Sequence, residues 1–319
     1  MTDIDKLLEY LRGGSVGELD LRWGQLNGIY LVLADLSKVD LRFATLDGAK
    51  LQGAYMRCND LSGVCLKNAN MRGANLSDVN LSGANLSGSY LGGTDLHDAN
   101  LSYANLENAN LENTIIDETT MSYGFDPNDQ GIYLDGIYMN CSYGSGLYRA
   151  NLKNANLKNA NLKRVNLSDA NLAGADLEGA DLRGAGMSNT NLYSAILKNT
   201  NLEGTSFEDS NMECANITGA KMSSVRMKGT NLRNANLENA NLENADLEDA
   251  NLEGANLKGA NMIGANLIGA NMRDSNMERA NLSSAKLYNA NMDGANLNGV
   301  WLDNAKMTNP GSEFVTLPD

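Results

Sequence analysis

From Leu21 to Met307 the chain repeats itself every five residues: a small residue, then Asn or Asp, then Leu or Met, then two mostly polar residues. Ala155-Asn156-Leu157-Lys158-Asn159 and Ala255-Asn256-Leu257-Lys258-Gly259 differ only at the last place. A period of five fits neither the helical repeat of about 3.6 nor the two-residue alternation of a long strand. Apolar residues at the first and third places imply a short extended piece with both side chains inward. Asn, Asp and Gly at the other places suit the turn that follows. A short fixed period of this kind marks a solenoid, whose repeats pack only on their neighbours.

We take the Leu or Met as the centre of each unit. Centres run from Leu21 to Met121 in a first array of 21 units, and from Leu152 to Met307 in a second of 32. In its A-(D/N)-L-x-x motif the chain resembles the pentapeptide-repeat family over roughly nine-tenths of its length. The resemblance implies an all-β fold, a right-handed quadrilateral β-helix with four pentapeptides per coil. About 55 units then give roughly 14 coils, a rod on the order of 65 Å long at about 4.8 Å between stacked strands.

Charge supports the 20-residue coil independently. The residues just after the centres, read in steps of twenty, run Glu213, Arg233, Glu253, Arg273, Asp293 on one face. On the next they run Lys158, Glu178, Lys198, Thr218, Glu238, Lys258, Glu278. Stacked neighbours of alternating sign attract, so the alternation marks a register.

Composition excludes much. The core is a thin column of Leu, Met and Ala, and Pro127, Pro310 and Pro318 all fall outside the regular pentads, as ladder hydrogen bonding requires. No apolar run approaches the length of a membrane span, and the acidic start is no signal peptide. Cys58, Cys65, Cys141 and Cys214 have no metal-ligand spacing and read as free thiols, which fits a cytoplasmic location. His97, the single histidine, stands just after centre Leu96 and reads as a surface residue. Without a second histidine, His-based metal sites and Ser–His or Cys–His catalysis lose their parts. The run Asp126-Pro127-Asn128-Asp129-Gln130-Gly131 fails as a calcium loop because Ile137 stands where a bidentate Glu belongs. We expect no enzyme, no catalytic residue, no cofactor and no metal. The net charge of −14 lies mostly in the first half, where residues 1–121 carry 16 acids against 9 bases. Nucleic-acid binding needs a basic track, so a basic protein surface is the better match.

Irregularities divide the chain into a cap (1–18), a first array (19–121), interrupted repeats (122–151), a second array (152–307) and a tail (308–319). Thr2 and Asp5 form a capping-box pattern, and Ile4, Leu7, Leu8 and Leu11 share one helical face before Gly13-Gly14. This predicts a short N-terminal capping helix over 2–12, received by the outward Trp23, Val32, Leu33 and Phe43. At the other end Phe314, Val315 and Leu317 are placed to fold over the last coil. In the interruption Leu134 and Met139 read as two units in a different register, with loops projecting near 122–131 and 140–150; Leu147 fits either loop or array. Tyr123, Tyr133, Tyr138, Tyr143 and Tyr148 fall here, five of the chain's 12 tyrosines, with Phe125 beside them.

Those aromatics either patch a core opened by the loops or form a partner-binding hot spot. Ile263, Ile268 and Tyr288 are outward by register and read as a second apolar patch, for a partner or for a weak dimer through the C-terminal end; otherwise the chain is a monomer. Two functions follow from the resemblance. One is a non-enzymatic scaffold or regulator that presents rod faces and loops to a protein partner, as in long, helix-capped cyanobacterial members, one group of which regulates heterocyst differentiation. The alternative is the acidic DNA mimic that binds DNA gyrase and confers quinolone resistance. For this the acidic coil of Glu238, Glu243, Glu248 and Glu253, with Asp246 and Asp249, is the strongest feature. The scaffold ranks first because outward charges otherwise alternate in sign.

Overall fold

Where Asn or Asp precedes the centre, every backbone N–H of a pentad finds an acceptor, and this explains the fold. In the unit centred on Leu237, Leu237 N donates to Asn256 O (2.7 Å) and Asn239 N to Lys258 O (2.9 Å), both one coil ahead. Asn236 N donates to Ala215 O one coil behind (2.9 Å), and Ala235 N closes the preceding turn on Leu232 O (3.0 Å). The remaining N–H, of Glu238, is accepted by the side-chain Oδ1 of Asn236 (3.1 Å). Buried or half-buried amides left unpaired are costly, so an Asn or Asp before the centre is favoured to close the turn.

The computed structural model describes residues 1–14, 17–116, 132–134, 137–139 and 146–307. It divides into two compact units, Met1–Asn166 and Leu167–Asp319. Each is wound the same way: parallel bridges join residues twenty apart, such as Asn75↔Asp95 in the first unit and Asn236↔Asn256 in the second. Four pentads therefore complete a coil, as the charge alternation predicts. With Lys38 the exception among the described residues, the residue two after a centre sits at the corner with positive φ, for example Asn239 (57°) and Gly254 (67°). Gly, Asn and Asp reach that region at least cost, which accounts for their frequency at the fifth place.

Centres and the small residues two before them point inward and are almost completely buried; Phe207 fills a Leu position at 0% exposure. Each buried Leu contributes about 1.5–3 kcal/mol. Where Thr or Ser replaces the small residue, its hydroxyl usually donates to the carbonyl of a centre 23 residues back, as Thr205 Oγ1 does to Leu182 O (2.8 Å). Outside, the asparagines form ladders: Asn276 Nδ2 donates to Asn256 Oδ1 (3.2 Å) and Asn256 Nδ2 to Asn236 Oδ1 (3.0 Å).

The N-terminal helix α1 spans Asp3–Glu9, with the capping box between Thr2 and Asp5 in place. A wider turn over Tyr10–Gly14 ends it, with Gly13 at φ 86°. Leu7 is fully buried, and Asp3 Oδ2 accepts the N–H of Gln25 (3.1 Å), a ladder donor of the first coil. The short strands β1 (Leu19–Asp20) and β2 (Val39–Asp40) pair in parallel one coil apart.

The outward residues predicted to receive α1 do not do so in the expected way. Trp23 is 68% exposed and Leu33 78%, and Leu33 lines a shallow groove with Lys38 and with Tyr10 and Leu11 of the turn that follows the helix. The buried residue of α1 is Leu7. Phe314, Val315 and Leu317 lie outside the described residues.

Candidate interaction surface

The break in the repeat differs from the expected one. Asn100 bridges Gly146, and Asn105 bridges Asn151, a step of 46 residues where twenty is the rule. Leu101 N donates to Gly146 O (2.8 Å), so Leu147, fully buried, stacks where Met121 was expected. The regular ladder thus leaves off after Ile116 and resumes at Gly146, and residues 146–150 are coil, not loop. The Ser-Gly before Leu147 hid this, since it lacks the small-residue and Asn signature. Leu134 and Met139 are not centres of parallel units either. Strands β3 (Ile132–Leu134) and β4 (Ile137–Met139) pair antiparallel, with Tyr133 opposite Tyr138. Short strands joined by two residues form a hairpin, a geometry that the period of five disguises.

Of the predicted aromatic cluster, Tyr123, Phe125 and Tyr143 lie outside the described residues. Tyr148 is half-buried on the first coil after the break. Its ring meets that of Tyr103 edge-on at 5.7 Å, and the Arg149 guanidinium lies 5.0 Å over it. Tyr103, 58% exposed at a corner with φ 62°, was not singled out by the sequence, although an aromatic at the fifth place is the signal that would have found it.

The second predicted patch does not converge. Ile268 and Tyr288 stack on one face, since Gly269 N donates to Tyr288 O (2.8 Å). Ile263 belongs to the next face over, one pentad away, and all three are half-buried. Nor do the four acids make a stripe, because consecutive pentads turn onto successive faces. Glu248 is ion-paired to Lys228 (2.7 Å), whose hydrogen bond holds the Glu248 carboxyl below its ordinary range. Glu238 stacks against Lys258, and Glu253 stands between Arg233 and Arg273. Lys258 itself pairs with Glu278 (3.2 Å), as the alternating ladder predicts.

The sequence missed a pair of stacked rings. Trp23 and Phe43 lie with centroids 4.5 Å apart and planes 14° apart, both exposed at one corner of the first unit. Beside them Arg22 and Arg42 clamp Asp20 and Asp40 through two hydrogen bonds each. The Arg22 guanidinium brings the Asp20 carboxyl down to about 2.

The cysteines are not all free. Cys58 is disulfide-bonded, whereas Cys65 and Cys214 are free thiols, and Cys141 lies outside the described residues. Spacing in sequence does not reveal such pairing in a wound chain. The thiol argument for a reducing compartment therefore falls away. Among the described residues no cluster of His, Cys, Asp or Glu could hold a metal ion, and no helix is long and apolar enough to cross a membrane.

The model of the pentapeptide-repeat family matches residues 20–73, 74–113, 147–184, 185–223, 223–262, 260–299 and 279–309, more than three-quarters of the chain. The chain belongs to the pentapeptide-repeat family. Its fold is accordingly the right-handed quadrilateral β-helix, and the family match stops on either side of the break at 114–146. Comparison with curated proteins finds no match.

Among solved structures the chain is similar to QnrB1, a plasmid-mediated fluoroquinolone resistance protein. The two share 23% identity over 50% of this chain and 88% of that one, with a TM-score of 0.41. It is similar to HetL, a pentapeptide repeat protein involved in heterocyst differentiation regulation in the cyanobacterium Nostoc sp. strain PCC 7120. There the identity is 23% over 99% of this chain and 100% of that one, with a TM-score of 0.26. Rfr23 of the cyanobacterium Cyanothece 51142 is 38% identical over 28% of this chain and 63% of its own, at a TM-score of 0.28. Membership rests on the repeat match, not on these superpositions.

Proposed function

We propose that this pentapeptide-repeat protein is a non-enzymatic scaffold or regulator that presents its coil faces to a protein partner. The observation that carries the reading is the distribution of outward side chains. Charges of opposite sign stack in the second unit, as Lys228–Glu248 and Lys258–Glu278 illustrate, whereas most of the exposed aromatics stand in the first unit. Aromatic anchors on an otherwise polar surface are the usual composition of a protein-binding hot spot. The partner site of this reading is the segment carrying Tyr123, Phe125, Tyr133, Tyr138 and Tyr143 together with Tyr148. In this reading α1 closes the first coil, with Asp3 taking its spare Gln25 N–H. A weak dimer through the last coil has one point in its favour: Leu297, Leu302 and Met307 are only half-buried and Trp301 is 64% exposed.

The second reading, an acidic mimic of DNA that binds gyrase, has the net charge of −14 in its favour. One assay separates the two. The mimic alters gyrase supercoiling with salt-sensitive binding that depends on Glu238, Glu243, Glu248 and Glu253. The scaffold leaves supercoiling untouched, and changing Tyr133, Tyr138 and Tyr143 together to Ser abolishes capture of its partner while β-type circular dichroism persists. If the triple variant unfolds instead, those tyrosines belong to the core and the site assignment is wrong.

A further inference from the structure

The corner that carries Trp23 and Phe43 continues coil by coil through Gly63, Gly83 and Tyr103, each linked to the next coil by its own ladder hydrogen bond. All five hold positive φ, between 59° and 66°. Glycine adopts that conformation readily, but for Trp, Phe and Tyr it is strained. The rings gain only partial burial in return: Trp23 is 68% exposed, Phe43 43% and Tyr103 58%. Among the described residues of the second unit no aromatic occupies this position; its corners carry Gly, Asn, Asp, Ser, Arg and one Cys. Phe43 leans over Gly63, where a Cβ would strike its ring, while Gly83 has no atom within 4 Å of where its Cβ would stand. The ring column is therefore broken at Gly83, between Phe43 and Tyr103.

The neighbouring column on the same face has a matching irregularity. Asp20 and Asp40 each receive the guanidinium of the arginine two residues on, Nε to Oδ1 and Nη2 to Oδ2. Asp60 is the third acid in line, but Ser62 stands where the arginine would be. Asp60 Oδ1 accepts Ser62 N (3.0 Å) and Asn80 Nδ2 (3.1 Å). Among the described residues its Oδ2 accepts no hydrogen bond and no base stands within ion-pair distance; the Arg42 guanidinium, one coil back, feels its charge without pairing with it. Asp60 holds Asn80, which belongs to the pentad of Gly83, so a carboxylate without a guanidinium of its own borders the break in the ring column.

We propose that this corner binds an arginine side chain from a basic segment of a partner protein. The planar guanidinium completes the ladder of Arg22 and Arg42 by taking Asp60 Oδ2, and lies against the rings of the corner at Gly83. Arginine fits better than lysine because a guanidinium N–H can take Oδ2 while its flat face lies against a ring, whereas an ammonium offers only a point charge. The surplus of acids in the first half of the chain favours a basic segment as the bearer. Of the tyrosine site only Tyr148 adjoins this corner, through Tyr103, and neither Asp60 nor the Trp23–Phe43 pair depends on that site, so the corner can stand if that assignment fails.

The test titrates the full chain with a Gly-Arg-Gly-Arg-Gly peptide and with its lysine counterpart of equal charge, following amide and indole signals by NMR. The arginine peptide should shift Gly83 and the Trp23 indole, with affinity at least tenfold above the lysine peptide. Ser62→Arg should supply the third guanidinium from within and abolish binding; Asp60→Asn should weaken it at least tenfold. Both replacements are residues that these columns already carry, so the coil should remain intact. Equal binding of the two peptides, no shift at Gly83 and Trp23, or unchanged binding by a folded Ser62→Arg or Asp60→Asn variant would overturn the proposal.

Discussion

The inward place two residues before each centre allows a prediction in which one position gives opposite signs. Thr230 is fully buried and its Oγ1 donates to Phe207 O at 2.8 Å. Ser275, 1% exposed, occupies the equivalent place, but its Oγ is buried without a partner. Replacing Thr230 with Val keeps shape and volume, and Val225 already fills the same place one pentad earlier. Phe207 O is not orphaned, since it also accepts Ser210 N (3.0 Å). The loss is then one net hydrogen bond, about 0.5–1.5 kcal/mol. Ser275→Ala removes an uncompensated polar group and installs the residue found at Ala270 and Ala280. It should stabilise by about 1 kcal/mol, the low end of the penalty for a buried unsatisfied group. Urea unfolding followed by circular dichroism, with all three proteins at one temperature, reads both shifts. Movement of both midpoints in the same direction, or a loss on Ser275→Ala, would show that hydrogen bonding does not govern this place.

Leu237→Asp puts an unpaired charge into a column at 0% exposure and should cost more than the ~2–5 kcal/mol of a Leu to Ala change. A melting temperature and β signal equal to the parent's would refute the inward assignment. The N-terminal helix should loosen in acid before the coils do. The Gln25 N–H holds the Asp3 carboxyl below its ordinary range, and the Thr2 N–H does the same for Asp5. Folded values below unfolded ones stabilise fully above the unfolded pKa, here the usual 3.8 of Asp, and the contribution is lost as the pH falls below that value through the lowered folded ones. Hydrogen exchange at Gln25, corrected for its intrinsic pH dependence, should therefore accelerate across that window; constant protection would count against the Asp3 contact.

Much of this fold is legible in the residues because one small set of positions satisfies every constraint at once. Asn236 closes the turn on Glu238 and stacks with Asn256, so substitution at such a place is narrowly limited and the period stands out. The capping box of α1 is legible for the same reason: Thr2 and Asp5 satisfy each other within four residues. The surfaces are not legible in this way. That Ile263 and Ile268 stand on different faces follows from the coil, yet proximity in the chain suggests one patch. Trp23 and Phe43 are twenty apart and look unrelated until the winding stacks them. The break was misread because a hairpin of Ile-Tyr-Leu and Ile-Tyr-Met imitates the five-residue spacing, while Gly146-Leu147 departs from the motif and is nonetheless regular coil.

The 46-residue step from Asn105 to Asn151 carries a further consequence. On either side of that step the face on which a residue lies is given by its number modulo twenty, so sequence position works as an address. The additional residues between Ile116 and Gly146 change the numbering afterwards, yet Asn151 still reports to the address of Asn105. A segment of any length can thus be spliced at a corner if both its ends return to the same rung. Deleting one pentad, by contrast, would readdress every later residue in its unit by a quarter turn. Mutational drift should therefore be tolerant of whole coils gained or lost, and intolerant of every remainder.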